Sequence, residues 1–588
     1  MGNSETVGSL FARVAARSPH KTFLIHPGGS ITYGDGIKRV AATAAHLERL
    51  GLKRGDTVGC YLEEQVPSLF FDLACALKGV VPVPLSPVFS VDYFVHGIVE
   101  PVEARAVFTD GGWADLLVEK RFRPLAYGSG EVRSRDGIER LDETPDVTLD
   151  WALELAEKSL HGLTSDDTFV IQPTSGCTGL PKLVRRHHNG FLRYARFVGD
   201  ELMDDGEPHR FLLVASLNHA FGMHMLATML RLGAAACVTS SIDTQARLEE
   251  IRERSPTVVP ILPRVQRSLY MQFREERQAG ADSGRMFGSA ARFVCSAGGP
   301  GDIEILSHLQ REGLKIIEFY GSTEASVVAV SPRDGWRPGC AGRVVPDVEA
   351  SVSTDGELIV RSPGVAIGYV GNDVESAFVD GAYRTGDFAE ISPDGYLRIL
   401  GRKRDIFNTP EGSNIYPGRI EDGIEGLPWV EQAVVVGDRQ PFLTALIVVR
   451  DNMDATGDAA QRGLLPPSEN SAIYHAAGLD LARLNLQLER IEHILRFLLF
   501  STAFPADVYA TAAGKVRRQR ANLLKQYKAL IATLYVTPTG TLPDPTHVPG
   551  KQQQMEGGDE RIAHAPTSKP GQPTRRLLEE TKIEETQS

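Results

Sequence analysis

The stretch Phe169-Val170-Ile171-Gln172-Pro173-Thr174-Ser175-Gly176-Cys177-Thr178-Gly179-Leu180-Pro181-Lys182 decides how the rest of the chain is read. The apolar run predicts a buried strand, and the Gly, Ser and Thr residues after it predict a loop. Glycines let backbone N–H groups turn inward, hydroxyls donate, and one lysine adds a point charge. Such a loop cradles phosphate. The glycine spacing before Lys182 is not that of a Walker P-loop. A flexible surface turn has the same composition and is the competing reading.

Outward from this loop, from about residue 8 to residue 400, the texture is α/β. Residues 35–50 place Ile37, Val40, Ala41, Ala44, Ala45 and Leu47 on one side of a helix. Short apolar runs at 57–61, 211–215 and 257–261 read as buried strands. Helices alternating with buried strands predict largely parallel sheets covered on both faces, and this length holds two such units. Between about 336 and 400 the turns Thr354-Asp355-Gly356 and Asp394-Gly395 signal hairpins, hence a small antiparallel barrel or sheet. Beyond Gly401-Arg402-Lys403-Arg404 a strand pair is expected at 430–436 and 443–449. Polar, irregular chain is expected at 453–480, a helix at 481–500 and an amphipathic helix at 515–535. The predicted organisation is a large domain over 8–402, a small α+β domain over 403–536 and a disordered tail over 537–588.

The 588 residues are 42% apolar and 23% charged, an ordinary globular composition. With 63 basic against 75 acidic residues the net charge is −12, which argues against nucleic acid as a partner. The most apolar window, residues 220–240, is interrupted by His224 and Arg231 and predicts no transmembrane segment. Cys60, Cys75, Cys177, Cys237, Cys295 and Cys340 are too far apart in sequence for a zinc clip or redox pair. They read as free thiols in a reducing compartment. The polar first ten residues carry no secretory pattern, so the expected location is the cytoplasm. Met1-Gly2-Asn3-Ser4-Glu5-Thr6 also fits the permissive N-myristoylation pattern, and no other feature supports peripheral membrane attachment.

Three more segments carry chemistry. In Glu318-Phe319-Tyr320-Gly321-Ser322-Thr323-Glu324 an aromatic, a glycine and a carboxylate suit base stacking, close backbone approach and a magnesium ion. A strand end with a capping Thr-Glu is the alternative. In Tyr383-Arg384-Thr385-Gly386-Asp387, with Arg402 fifteen residues further on, the carboxylate suits both hydroxyls of a ribose and the arginine suits a sugar or phosphate. A surface salt bridge is the alternative. In Thr511-Ala512-Ala513-Gly514-Lys515-Val516-Arg517-Arg518 a lysine follows a glycine turn and is placed to swing into a site. A solvated basic helix face is the alternative.

Each segment is ambiguous alone, but their order is specific. Together they resemble the adenylate-forming superfamily of acyl-CoA synthetases, peptide-synthetase adenylation domains and beetle luciferases, from about Leu10 to Tyr535. In the small domain Asp405-Ile406-Phe407, Ile415-Tyr416-Pro417 and Lys515-Val516-Arg517-Arg518 are similar to the long-chain acyl-CoA synthetases. The resemblance implies that a carboxylate attacks the α-phosphorus of ATP, giving an acyl-adenylate and pyrophosphate, and that the acyl group then passes to CoA. It implies that Lys515 bridges the two anions, Glu324 holds magnesium, and His219 lies beside the carboxylate. Thr174, Ser175, Gly176, Cys177, Thr178, Gly179 and Lys182 would hold the phosphates. Tyr320, Gly321, Thr323 and the strip Gly298-Gly299 would line the nucleotide, with Ile399 near it, while Asp387 and Arg402 would hold the ribose. Arg404 would be the hinge of a mobile small domain.

Amino-acid activators of this family usually place an aspartate beside the position of His219. Here the neighbour is Ala220, and a buried ammonium would lack a partner. An apolar or aryl carboxylic acid is therefore the expected substrate. Three departures stand out: Cys177 replaces a hydroxyl, Leu183 replaces a glycine, and Asn408 replaces a lysine common in the small domain. The first two are read as slowing the first step, and the third leaves the acceptor open. A carrier protein or an amine is the alternative acceptor, although the tail has no Gly-Gly-x-Ser carrier site. A nucleotide-binding protein without turnover is a further alternative, against which Lys515, Glu324 and Asp387 argue.

Overall fold

The computed structural model describes residues 5–61, 65–85, 94–110, 124–127, 147–174, 181–213, 217, 219–241, 243–280, 284–371, 377–409, 414–450, 464–465, 471–505 and 520–536. Met1–Leu542 forms one compact unit. The tail expected to be disordered lies outside the described residues.

The apolar runs become parallel strands because both of their faces are covered. Val81–Leu85, Thr57–Tyr61, Ala106–Asp110 and Pro124–Tyr127 form a wholly parallel four-stranded sheet, in that spatial order. A nine-stranded sheet has a parallel centre: Thr22–His26, Ala235–Cys237, Arg210–Leu212, Val258–Ile261, Phe293–Ser296 and Lys315–Ser322. Its edges are antiparallel, Gly29–Thr32 on one side and Ser326–Val330 then Arg343–Val344 on the other. The helix expected at 35–50 is Tyr33–Arg49, capped by the Thr32 side chain, with Ile37, Val40, Ala41, Ala44 and Leu47 buried. The hairpin-rich region forms five antiparallel strands: Glu349–Val352, Glu357–Arg361, Phe378–Val379, Ala382–Ile391 and Leu397–Arg402.

The strand around Phe169 is Thr168–Thr174. It pairs antiparallel with Lys182–His187, which in turn pairs with Gly368–Tyr369. The glycine- and hydroxyl-rich loop therefore connects two arms of a hairpin, and Lys182 opens the return strand.

The C-terminal elements form a four-stranded sheet of Val430–Val436, Leu443–Val449, Ile494–Phe500 and Leu464–Leu465. The helix expected at 481–500 is a misreading. Only its first residues, to Asn485, are α-helical, as the end of helix Ser471–Asn485, and Ile494–Phe500 is a strand parallel to Leu443–Val449. A short apolar run is ambiguous between buried helix and buried strand. Here two covers decide it. Ile494, Phe497 and Leu499 pack with Tyr474 and Leu481 in one core, while Leu498 and Phe500 pack with Leu523 and Leu534 in another. The helix expected at 515–535 is two pieces, Arg520–Gln526 and Lys528–Val536, divided at Tyr527. The first is anchored by a buried pair, Arg520 Nη2 to Glu421 Oε1 at 2.7 Å.

Cys60, Cys75, Cys237 and Cys295 are free and buried, and Cys340 is free and partly exposed. Cys177 lies outside the described residues. The apolar window 220–240 holds helix Ala220–Arg231 and strand Ala235–Cys237. Among the described residues no helix is long and apolar enough to cross a membrane.

Candidate active site

Tyr320 and Glu324 come from one hairpin. Lys315–Ser322 turns back into Ser326–Val330, with Ser322 opposite Ser326 and a register shift between Tyr320 and Gly321. A Cβ on Gly321 would stand 2.0 Å from the Ser326 carbonyl oxygen, so the glycine makes room for the chain's own backbone. Ala325 N–H donates to Ser322 Oγ at 2.9 Å, and Ser326 adopts the left-handed region at φ 62°. Thr323, Glu324 and Ala325 are thereby held at the tip.

Glu324 is 8% exposed. Its Oε1 accepts from the Tyr369 hydroxyl at 2.9 Å, and Lys182 Nζ lies 5.1 Å from the centre of the same Tyr369 ring. Burial, then the Glu324 charge, pushes the Tyr369 phenol well above its usual range and keeps it a donor. One aromatic side chain thus links the lysine of the loop to the carboxylate of the turn. Thr174 is the strand partner of Lys182, and its hydroxyl donates to the Lys182 carbonyl at 3.3 Å.

Asp387 and Arg402 are directly opposite on adjacent antiparallel strands, which turns fifteen residues of separation into a contact. Arg402 Nε lies 2.9 Å from Asp387 Oδ1, and the Tyr320 hydroxyl donates to Asp387 Oδ2 at 2.6 Å. Arg402 also donates to the Thr385 carbonyl at 3.2 Å. Burial opposes the Arg402 charge most strongly, but Asp387, Tyr320, Tyr383 and Glu324 together outweigh it and the pKa rises. A carboxylate oxygen can accept more than one hydrogen bond, so this buried group is chemically suited to sugar hydroxyls.

Gly298 and Gly299 follow strand Phe293–Ser296 and are exposed, with Gly298 at φ 86°. Beside them Gly301 N–H donates to Glu318 Oε1 at 3.1 Å, and the Trp336 indole donates to Glu318 Oε2. Burial raises the Glu318 pKa. Ile399 is half-buried on the strand that carries Arg402. His219 is the exposed N-cap residue of helix Ala220–Arg231. Ser175, Gly176, Cys177, Thr178, Gly179 and Lys515 lie outside the described residues.

Leu183 and Asn408 are within them. Leu183 is 4% exposed in a core with Tyr61, Val81 and Ile171, so the side chain that replaces a glycine fills apolar space. Asn408 pairs with Asn414 in a short hairpin.

A magnesium ion fits this donor set. Glu324 offers one buried carboxylate, and among the described residues no three His, Cys, Asp or Glu side chains form a protein-only cage. Magnesium is commonly held by one or two carboxylates together with substrate phosphates. The sequence reading missed Tyr369, Ser326 and Arg186, which support this corner. None of the three lies in a segment that the sequence reading singled out.

The chain belongs to the AMP-binding enzyme family. The profile described as AMP-binding enzyme matches residues 11–370, and that described as AMP-binding enzyme C-terminal domain matches 404–538. Among curated proteins it is 28% identical over 554 residues to a long-chain-fatty-acid–CoA ligase, FadD15, of Mycobacterium bovis, covering 83% of this chain and 90% of that one. It is 29% identical to a feruloyl-CoA synthase of an Amycolatopsis species, covering 77% and 91%. Among solved structures, the anthranilate CoA ligase AuaEII with anthranoyl-AMP matches with TM-score 0.71 at 18% identity, covering 90% and 98%. The o-succinylbenzoate CoA synthetase of Bacillus subtilis with its acyl-adenylate matches with TM-score 0.67 at 19% identity, covering 89% and 98%. At these identities the structural likeness establishes the fold.

Proposed function

We propose that the protein is an AMP-forming carboxylate–CoA ligase. It activates an apolar or aryl carboxylic acid with ATP, releases pyrophosphate, and transfers the acyl group to CoA. The observation that carries this reading is the corner where Asp387 and Arg402 meet Tyr320, which lies on the hairpin that also holds Glu324. The curated relatives are CoA ligases of fatty and aryl acids, which supports the substrate class.

Two anions must meet, so the chain's work is to hold them and neutralise charge. No general base is required, because a carboxylic acid is ionised near neutral pH. Asp387 and Arg402 take the ribose, with Tyr320, Gly321, Thr323, Gly298, Gly299 and Ile399 around the base. Thr174, Lys182 and the loop residues 175–179, Thr178 among them, take the phosphates. Glu324 would hold a magnesium ion, which would supply screening of the phosphate charge. His219 stands at a helix N-terminus, where the dipole favours the substrate carboxylate. Helix Ala220–Arg231 contains no Asp or Glu, consistent with an acid that lacks an ammonium group. Lys515, from a lobe spanning residues 403–536, bridges the carboxylate and the α-phosphate.

Lys515→Ala is expected to lower acid-dependent pyrophosphate exchange by about 10²–10³-fold while ATP still binds. Exchange at the wild-type rate overturns the lysine assignment. The reading as a whole is tested by pyrophosphate release against a panel of fatty and aryl acids, followed by addition of CoA, a carrier protein or an amine. Thioester formed only with CoA supports the ligase. Turnover only with a carrier protein or amine moves the activity to that acceptor.

A further inference from the structure

Behind the turn that carries Glu324 lies a guanidinium with no carboxylate bonded to it among the described residues. Arg186 is 1% exposed, on the strand that Lys182 opens. It donates to Gln172 Oε1 at 3.0 Å and to Ser326 Oγ at 3.3 Å, and its Nη2 lies 3.1 Å from His224 Nε2. Its other neighbour is the face of Phe191, 4.0 Å from the ring centre. Arginine only donates, so His224 accepts at Nε2 and carries its proton on Nδ1, which has no partner among the described residues. Burial, then the guanidinium, lowers the His224 pKa well below the usual range. The imidazole is therefore neutral. Among the described residues, every group bonded to this buried cation is uncharged, an arrangement that is costly without a compensating negative charge. Burial brings the Arg186 pKa down to about 9, and Glu324 is the charge that opposes the fall.

The contact with the turn is specific. Ser326 holds the left-handed conformation that closes the hairpin, and its hydroxyl accepts from Arg186 while donating to the Gly190 carbonyl at 3.1 Å. The strand of the phosphate hairpin is thereby tied to the tip two residues from Glu324.

We infer that Arg186 is a positioning residue of the adenylation step: through the Ser326 hydroxyl it fixes the 322–326 turn, and its buried charge holds the Glu324 carboxylate where the nucleotide's magnesium is taken. This rests on the assignment of Glu324 as the magnesium ligand.

The test uses the full chain and its Arg186→Met, Arg186→Lys and Ser326→Gly variants. ATP affinity is measured by calorimetry with magnesium and with a chelator. Pyrophosphate exchange is titrated separately in magnesium and in acid. Removing such a supporting group is expected to weaken the magnesium-dependent gain in ATP affinity by about 10–100-fold. The magnesium needed for half-maximal exchange rises with it, and the KM for the acid stays unchanged. Arg186→Lys recovers part of the loss through its charge. Ser326→Gly keeps a backbone that suits φ 62° and loses the hydroxyl, with its bonds to Arg186 and to the Gly190 carbonyl, so it decides the matter if Arg186→Met does not fold. A folded Arg186→Met, or failing that Ser326→Gly, with wild-type magnesium dependence overturns the inference. So does a change confined to the acid KM. If magnesium leaves ATP affinity unchanged in the wild type, the Glu324 assignment falls and the inference with it. If wild-type exchange fails with every acid while that magnesium effect persists, the ligase reading falls instead.

Discussion

Two buried titratable residues set opposite pH dependences. His188 stacks on Phe169 at 4.7 Å, and its Nδ1 accepts from Val7 N–H at 3.2 Å. Burial brings its pKa down to about 3. In the unfolded chain the imidazole takes a proton below about pH 6.5. The unfolded state therefore binds more protons between about 6.5 and 3, and stability falls as pH drops through that window, by about 1.4 kcal/mol per pH unit. His188→Gln keeps an acceptor for Val7 and removes the titration, so its melting temperature should fall less steeply with acid than the wild type's. An equal slope would place the acid sensitivity elsewhere. Asp72 is fully buried in helix Gln65–Lys78, and neither oxygen has a partner among the described residues. Burial raises its pKa well above the usual range. An acid raised in this way costs stability as pH climbs above its unfolded value of about 3.9. Asp72→Asn should melt higher than wild type at pH 7, with the gap narrowing toward pH 4. A gap that does not change with pH would mean that the carboxyl is not the source.

At the scale of elements, the hairpin 315–330 carries most of the candidate site. Tyr320 and Glu324 were legible as a pattern, and so was their neighbour Gly321. Its reason was not legible, because the close approach of the Ser326 carbonyl is a fact of strand pairing. Gly321→Ala would force a Cβ 2.0 Å from that oxygen, and the overpacking should cost about 1–3 kcal/mol. Moving the Glu324 turn should also cut pyrophosphate exchange more than the stability loss explains. Thermal melts and exchange rates at a temperature where the variant is fully folded check this. Full activity there would mean that the turn tolerates the shift. The strand Ile494–Phe500 shows the opposite limit. Its run of large apolar residues was read as helix because one sequence cannot reveal that two separate layers lie above and below it.

At the scale of the molecule, the junction between the large domain and the C-terminal elements is marked by specific contacts. Lys403 Nζ lies 2.6 Å from Asp355 Oδ2 and 3.0 Å from Glu357 Oε2, which pins the chain one residue before Arg404. Arg267, on helix Pro263–Gln278, pairs with Asp302 at 2.6 Å and donates to the Glu425 carbonyl at the end of helix Pro417–Glu425, which packs against strand Val430–Val436. If residues 403–536 rotate between the two half-reactions about Arg404, stiffening that residue should separate the steps. Arg404→Pro is expected to leave pyrophosphate exchange largely intact and to slow thioester formation, because the second step needs the rotation. Equal loss in both steps would refute the hinge.

The order of the motifs and the alternation of helices with buried strands follow from local residue type, so sequence alone determined the family resemblance, the α/β class and the identity of Asp387, Arg402, Tyr320 and Glu324 as candidates. Tertiary structure alone decided that Asp387 faces Arg402 across a ladder, that Tyr369 joins Lys182 to Glu324, and that Arg186 is buried among neutral partners. Those facts depend on strand register and on which layer covers which face, and register is set by contacts between residues far apart in the chain.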